Sequence, residues 1–230
     1  MTLKFEITDI QHPENPNLFR IRALRDITKY NIKAGDLGGY VENENNLSQE
    51  GDCWIGGDAL AFESAKVYGN AQVYGNVQLY GNAHIFDNAQ IYNITEVFDN
   101  ARVYGNAQVY GDAYVYGNAQ VYGDAYVYSD AQVYGDAQLY GEAKVFGRGC
   151  VYKNALVYDY AQVCDDAWVT GNAILNEQML ICGECIINAT AQIYYANGVT
   201  AYFNLNGELI VNGASPDIEH HITFARLKLL

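Results

Sequence analysis

One hexapeptide, A-x-V-Y-G-[ND], recurs twenty-four times between Cys53 and Ala196 without an inserted or deleted residue. Its third position is Val, Ile or Leu in twenty-three of the twenty-four copies, from Ile55 through Val121 to Ile193, with Ala61 the exception. A period of six with an aliphatic residue at a fixed phase marks a β-solenoid, in which each unit buries its apolar face only against its neighbours. The unbroken register leaves no room inside the array for a helical lid or a long loop.

Ala119 to Asp124, AQVYGD, shows how the unit works. Four extended residues place Ala119 and Val121 on one face and Gln120 and Tyr122 on the other. Gly123 and Asp124 form a corner, because Gly accepts a positive φ and Asp bonds its own backbone. A flat meander would need about twenty-four short strands in one open sheet, well beyond the ~10 at which sheets curl or split. Three hexapeptides per coil close a triangular prism instead, and each strand stacks on the one eighteen residues later. Eight coils at ~4.8 Å give a prism roughly 38 Å long.

That period sorts the outward aromatics into three columns. The first holds Tyr74, Tyr92, Tyr110, Tyr128 and Phe146, followed by Cys164 and Cys182. The second holds Phe62, Tyr80, Phe98, Tyr116, Tyr134 and Tyr152, and the third Tyr68, Phe86, Tyr104, Tyr122, Tyr140 and Tyr158. Each runs beside a second outward column, rich in Gln on the first face at Gln72, Gln90 and Gln108. Stacking of like rings and amides stabilises parallel, in-register strands. An aromatic stripe of this length exceeds the apolar patch a monomer usually exposes. At least one ladder is therefore expected to meet another copy or a partner. Tyr104, Tyr122, Tyr140, Tyr158, Leu156 and Trp168 are the expected interface residues, since apolar outward positions gather in the last coils.

The net charge of −14, from 13 basic and 27 acidic residues, argues against non-specific nucleic-acid binding, which needs cations against phosphate. It suits solubility of a β-rich surface, and also admits an acidic decoy for a nucleic-acid-binding protein. No apolar run approaches the ~18 residues of a membrane span. The N-terminus lacks the pattern of a signal peptide, and five unpatterned cysteines point to reduced thiols in the cytoplasm. Cys182-Gly-Glu-Cys185 forms a CxxC, but the repeat phase sends Cys182 outward and Cys185 inward, so no metal ligand set is expected.

Residues 1–52 read as an N-terminal cap, 53–196 as the array and 197–230 as decaying repeat with a short C-terminal cap. Caps are needed because an open solenoid end exposes unpaired backbone. Phe5 to Ile7 and Phe19 to Leu24 read as strands, and Asn31 to Tyr40, with Gly35, Gly38 and Gly39, as a tight turn region. Arg20, Arg22 and Arg25 alternate as on a solvated strand face. Val199, Leu205 and Val211 keep the repeat phase. Ser215-Pro216-Asp217 signals a short helix with Ile218, Ile222, Ala225 and Leu229 at helical spacing.

The segment from Asn31 to Ile55, with its Gly-Gly-aromatic and L-S-Q-E-G-D-C-W elements, resembles the N-terminal segment of the bacterial YdcK-like hexapeptide-repeat proteins, a family labelled as acyltransferases. Similar caps followed by V-Y-G-N arrays occur in phage and prophage proteins, which this chain resembles in its Tyr-rich repeats. The aliphatic and small positions also resemble the left-handed parallel β-helix of hexapeptide acyltransferases. These resemblances imply an all-β, single-stranded left-handed parallel β-helix. They also imply, for an enzyme, a trimer with acyl-CoA in the groove between subunits and a histidine as general base. Only His84 lies in the array, with Asp87 near enough in sequence to orient it. The zinc variant of that fold needs three histidines from neighbouring coils, and one is present. The protruding loop that commonly walls such sites is missing. The expectation is a non-catalytic interaction or assembly module, phage- or prophage-encoded. It would form a dimer or trimer or meet a host or phage protein, with no cofactor. A CoA-dependent acyltransferase is the alternative.

Overall fold

A computed structural model describes residues 3–184, 186–189, 200–203 and 209–212. The hexapeptides wind into a parallel β-solenoid with three flat walls. They form an 8-stranded and a 7-stranded sheet, and most of an 11-stranded one. Register is eighteen residues throughout the described array, as in Gln108 beside Tyr126 and Val109 beside Val127. Most strands are two residues long, at the second and third positions, rather than the four expected. The shortening reflects the corners, which begin to bend the chain at the aromatic position. The backbone bonds nevertheless continue past the strands: Tyr110 N donates to Val127 O at 2.9 Å, and Asp112 N to Ser129 O at 2.9 Å.

The inward phase is as read. Ala119, Val121, Ala125 and Val127 are fully buried, and the core is one continuous column of first- and third-position side chains. Fifth-position residues take positive φ, as at Gly105 (71°). A Cβ on Gly105 would lie 2.8 Å from Gly123 N, so the next coil also crowds this position. Several corners still use other residues. Asp99 has φ 58°, and its Oδ2 accepts the Gly117 N–H at 3.1 Å. Asp87 does the same for Gly105 N at 3.2 Å. A carboxylate that caps the next coil offsets the strain of a left-handed non-Gly residue, of order 1–3 kcal/mol.

The cap strands form where expected: β1 (Phe5–Gln11) pairs antiparallel with β2 (Phe19–Ala23). Gly38 and Gly39, however, lie in a third strand, β3 (Leu37–Val41), and not in a turn. They are needed because backbone approaches closely there: a Cβ on Gly39 would sit 2.4 Å from Ala59 O. β3 pairs antiparallel with β2 and parallel with Leu60–Ala61, so it joins the cap to the wall. Its register to the wall is twenty residues, Val41 beside Ala61, and Leu47 bridges to Val67 with the same offset. The two extra residues fall between Leu47 and Trp54, which pairs with Gln72 at an offset of eighteen, while a 3-10 turn at Glu44–Asn46 lies within the twenty-residue stretch. Buried Asn46 fastens it, accepting from Glu42 N and Asn43 N and donating to Glu63 O and Ala65 O.

Beyond the array, Thr200–Phe203 and Leu209–Asn212 pair antiparallel, Val211 opposite Ala201. Val211 is thus in a hairpin and not in a further coil, because antiparallel pairing replaces the eighteen-residue register. Val199, Leu205, Ala196 and the expected helix after Ser215 lie outside the described residues. Among the described residues no helix is long and apolar enough to cross a membrane.

Val121→Asp is expected to cost several kcal/mol, on the order of 3–5, by placing an unpaired carboxylate in a core one side chain thick. Gln120→Lys, one residue away but outward, is expected to change stability by less than about 0.5 kcal/mol. Denaturant unfolding of both variants checks the phase; equal midpoints would show it wrong.

Candidate functional surfaces

Aromatic residues at the fourth position stand at the edge of each wall, and the eighteen-residue register sets each ring on the next. The rings of all three ladders stack with centroids 4.7 to 5.5 Å apart and planes within 13°. Tyr104, Tyr122, Tyr140 and Tyr158 form one such stack. Stacking hides the ring faces, so these residues are half-buried and present mainly edges and hydroxyls.

The hydroxyls reach the second-position residue one coil on. Tyr92 donates to Gln108 Oε1 at 3.3 Å, Tyr104 to Gln120 Oε1 at 3.2 Å and Tyr122 to Gln138 Oε1 at 3.4 Å. Tyr80 instead donates to Glu96 Oε2 at 3.1 Å. Burial, the bond to Glu96 and nearby carboxylate charge push its phenol up to about 12. A further ladder runs along the corners and was not anticipated. Asn82 Nδ2 donates to Asn100 Oδ1 at 3.0 Å, Asn100 to Asn118 at 3.1 Å, and Asn118 to Asp136 at 2.8 Å. The Asn/Asp preference of the sixth position was its signal.

The apolar residues that remain exposed lie partly toward the C-terminal coils. Trp168 is 44% and Ile186 43% exposed, and they are cross-strand neighbours on the second face. The Trp168 ring meets Tyr152 edge-on at 6.2 Å, ending that stack. Leu156, beside Ile174 on the third face, is half-buried.

His84 lies between Lys66 and Arg102 in its column. Burial and these two cations lower its pKa, favouring the neutral ring. Its Nδ1 is 3.5 Å from the Tyr68 hydroxyl. Asp87 faces the Gly105 amide instead, because the left-handed corner turns its carboxylate along the solenoid axis. His84 and Asp87 are therefore not shown as a hydrogen-bonded pair. Beside Tyr68, an open cleft of about 280 Å³ is lined by Glu44, Ser48, Gln49 and Lys66, among others.

Two expectations need correction. Arg20 and Arg25 are not an idle solvated face. Arg20 Nη1 donates to Gly38 O at 2.8 Å and Gly57 O at 2.9 Å, and Arg25 Nη2 to Gly51 O at 3.1 Å, while Arg22 pairs with Glu6. Nor are Cys164 and Cys182 independent thiols: they form a disulfide, with Cα atoms 4.7 Å apart. Parallel in-register strands bring identical phases to that spacing, within the range disulfides span. Their sulfurs and an Asp165 carboxylate oxygen lie within 4.8 Å of one another, but sulfurs joined in a disulfide are not the thiolates a zinc ion takes as ligands. Cys185 lies outside the described residues.

The walls, corners and ladders define a parallel β-solenoid repeat protein. The family model of the YdcK beta solenoid repeat matches residues 97–111, 107–123 and 119–135, so the array is similar to that family over its central coils. No curated protein matches the chain.

The Tyr80 shift carries a pH dependence. Its folded pKa lies above the unfolded value near 10, so its contribution is complete below pH 10 and is lost as pH rises toward about 12. Phenolate absorbance should show Tyr80 ionising well above free tyrosine, and Glu96→Gln should bring that midpoint down. An unshifted midpoint would contradict the bond.

Proposed function

We propose that the chain is a non-catalytic interaction or assembly module of phage or prophage origin, built as a cap over residues 1–52, an array over 53–196 and a tail over 197–230. The observation that carries this is the exposed Trp168–Ile186 pair on a rigid wall where the Tyr152 stack ends. A wall whose side chains are already ordered by stacking loses little conformational entropy on association. Trp with an aliphatic neighbour is the composition of an interface centre. The partner is a second copy of this chain, in a dimer or trimer. Leu156 and the third ladder, Tyr104, Tyr122, Tyr140 and Tyr158, offer the alternative face.

Light scattering at micromolar concentration is expected to give a dimer or trimer. Trp168→Glu should weaken it if the second face is used and Leu156→Glu if the third is, by tenfold or more in dissociation constant, roughly the 1.4 kcal/mol of one anchoring side chain. A strictly monomeric wild type would end the self-association reading.

A CoA-dependent acyltransferase is the second reading. It is favoured by the depressed pKa of His84, which keeps the imidazole neutral and able to accept a proton. Calorimetry is expected to show no coenzyme A binding. Micromolar binding, with transfer activity abolished by His84→Ala, would install the enzyme reading instead.

A further inference from the structure

Lys4 precedes β1 and is fully enclosed, at 0% exposure; Cys53, which opens the first hexapeptide, is also 0% exposed. Lys4 Nζ lies 2.9 Å from Cys53 Sγ, 2.9 Å from Cys53 O and 3.3 Å from Glu50 O. The carbonyl contacts explain a donor here, as at Arg20 and Arg25. They do not explain the sulfur, because the repeat places Ala at this phase in most copies. Gln49 fixes the approach: its side chain accepts from Lys4 N at 2.8 Å and donates to Phe5 O at 3.0 Å. A primary amine is thus held against a thiol across the junction between cap and solenoid.

We propose that this pair is an oxidative modification site, at which a peroxide closes a covalent nitrogen–sulfur bond between Lys4 and Cys53 and latches the cap to the first coil. Hydrogen peroxide transfers one oxygen to the Cys53 thiol, giving a sulfenic acid and water. The Lys4 amine lone pair then attacks the sulfur. The N–S bond forms, the S–O bond breaks, and the departing hydroxide takes a proton from nitrogen to leave as a second water. The product is a sulfenamide, the known fate of a sulfenic acid beside a nitrogen nucleophile. A thiol reductant reopens it to amine and thiol.

Burial moves the amine pKa down and the thiol pKa up, which favours the neutral, nucleophilic amine. A buried thiol is protected while the cap is closed. Access comes through β1, the edge strand of its sheet, held on one side only by β2. Opening of such an edge is a local event. Oxidation is therefore expected to be slow, and closure after it fast.

The test uses the full chain carrying Cys150→Ser, Cys164→Ser, Cys182→Ser and Cys185→Ser, so that no intramolecular disulfide can form. After hydrogen peroxide, intact mass should fall by two hydrogens, a digest should contain the Lys4 and Cys53 peptides joined, and dithiothreitol should restore the starting mass. The unfolding midpoint should rise by several degrees, about what a cross-link closing a loop of this size provides. Lys4→Arg should abolish the mass loss. Peroxide that leaves the mass unchanged, adds only oxygen, or causes the same loss in Lys4→Arg overturns the proposal; the last would place the bond on a backbone nitrogen. The joined peptides, sought in the wild-type chain too, keep the test decisive if Lys4→Arg does not fold.

Discussion

The coils are held to one another by a parallel backbone ladder. Gln108 N donates to the carbonyl of Ala125, seventeen residues later in the next coil, and the parallel pairing of the strands returns bonds in the opposite sense. Each end of such a ladder leaves both carbonyls and N–H groups without a neighbouring coil. Buried unpaired groups of either kind each cost on the order of 1–3 kcal/mol. The N-terminal cap is built for its own end: Lys4, Arg20 and Arg25 supply charged donors to Glu50, Gly38, Gly57, Gly51 and Cys53 carbonyls. Stripped of its cap, such an end would offer unpaired backbone to an exposed end of another copy, a contact that need not close.

The backbone ladder has a counterpart in the side chains. Asn82, Asn100 and Asn118 pass one amide hydrogen bond each toward the C-terminus and finish on the carboxylate of Asp136, which accepts but cannot donate when ionised. Fifth-position carboxylates such as Asp99 bond forward in the same sense. Tyrosine hydroxyls also reach forward to the next coil. Side-chain and backbone ladders thus agree on one eighteen-residue register, and this consistency makes it unambiguous even though consecutive repeats are nearly identical.

The core was fully legible in the repeat, because burial of Ala and Val follows from a two-residue alternation that nothing in the array interrupts. The three ring columns were legible for the same reason, given an eighteen-residue coil. The Cys164–Cys182 pair carried an equally plain signal, two cysteines at the same phase eighteen residues apart, but a spacing alone does not say whether two thiols are joined. The cap was less legible. Gly38 and Gly39 look like a turn unless one knows that Ala59 O and Ile55 approach them. The twenty-residue offset at Leu47 depends on buried Asn46, whose four bonds no local pattern reveals. Arg20 and Arg25 read as a solvated stripe because their acceptors are backbone atoms, which have no identity in a sequence. His84 was legible as a position, and its environment, two cations above and below, followed from the column. The direction taken by Asp87 did not, since it depends on a corner in the left-handed region.

The coil of three hexapeptides also governs how such a chain can change length. Duplicating or deleting a single hexapeptide leaves the inward pattern intact, so the core still forms. It rotates every later residue by a third of a turn, however, and each ring, amide and charge beyond that point passes to the next wall. Only a change of eighteen residues preserves the faces. The interior therefore tolerates steps of one repeat, while the surface counts in threes. Where two chains of this kind share a binding face, their lengths between cap and face should differ by whole coils.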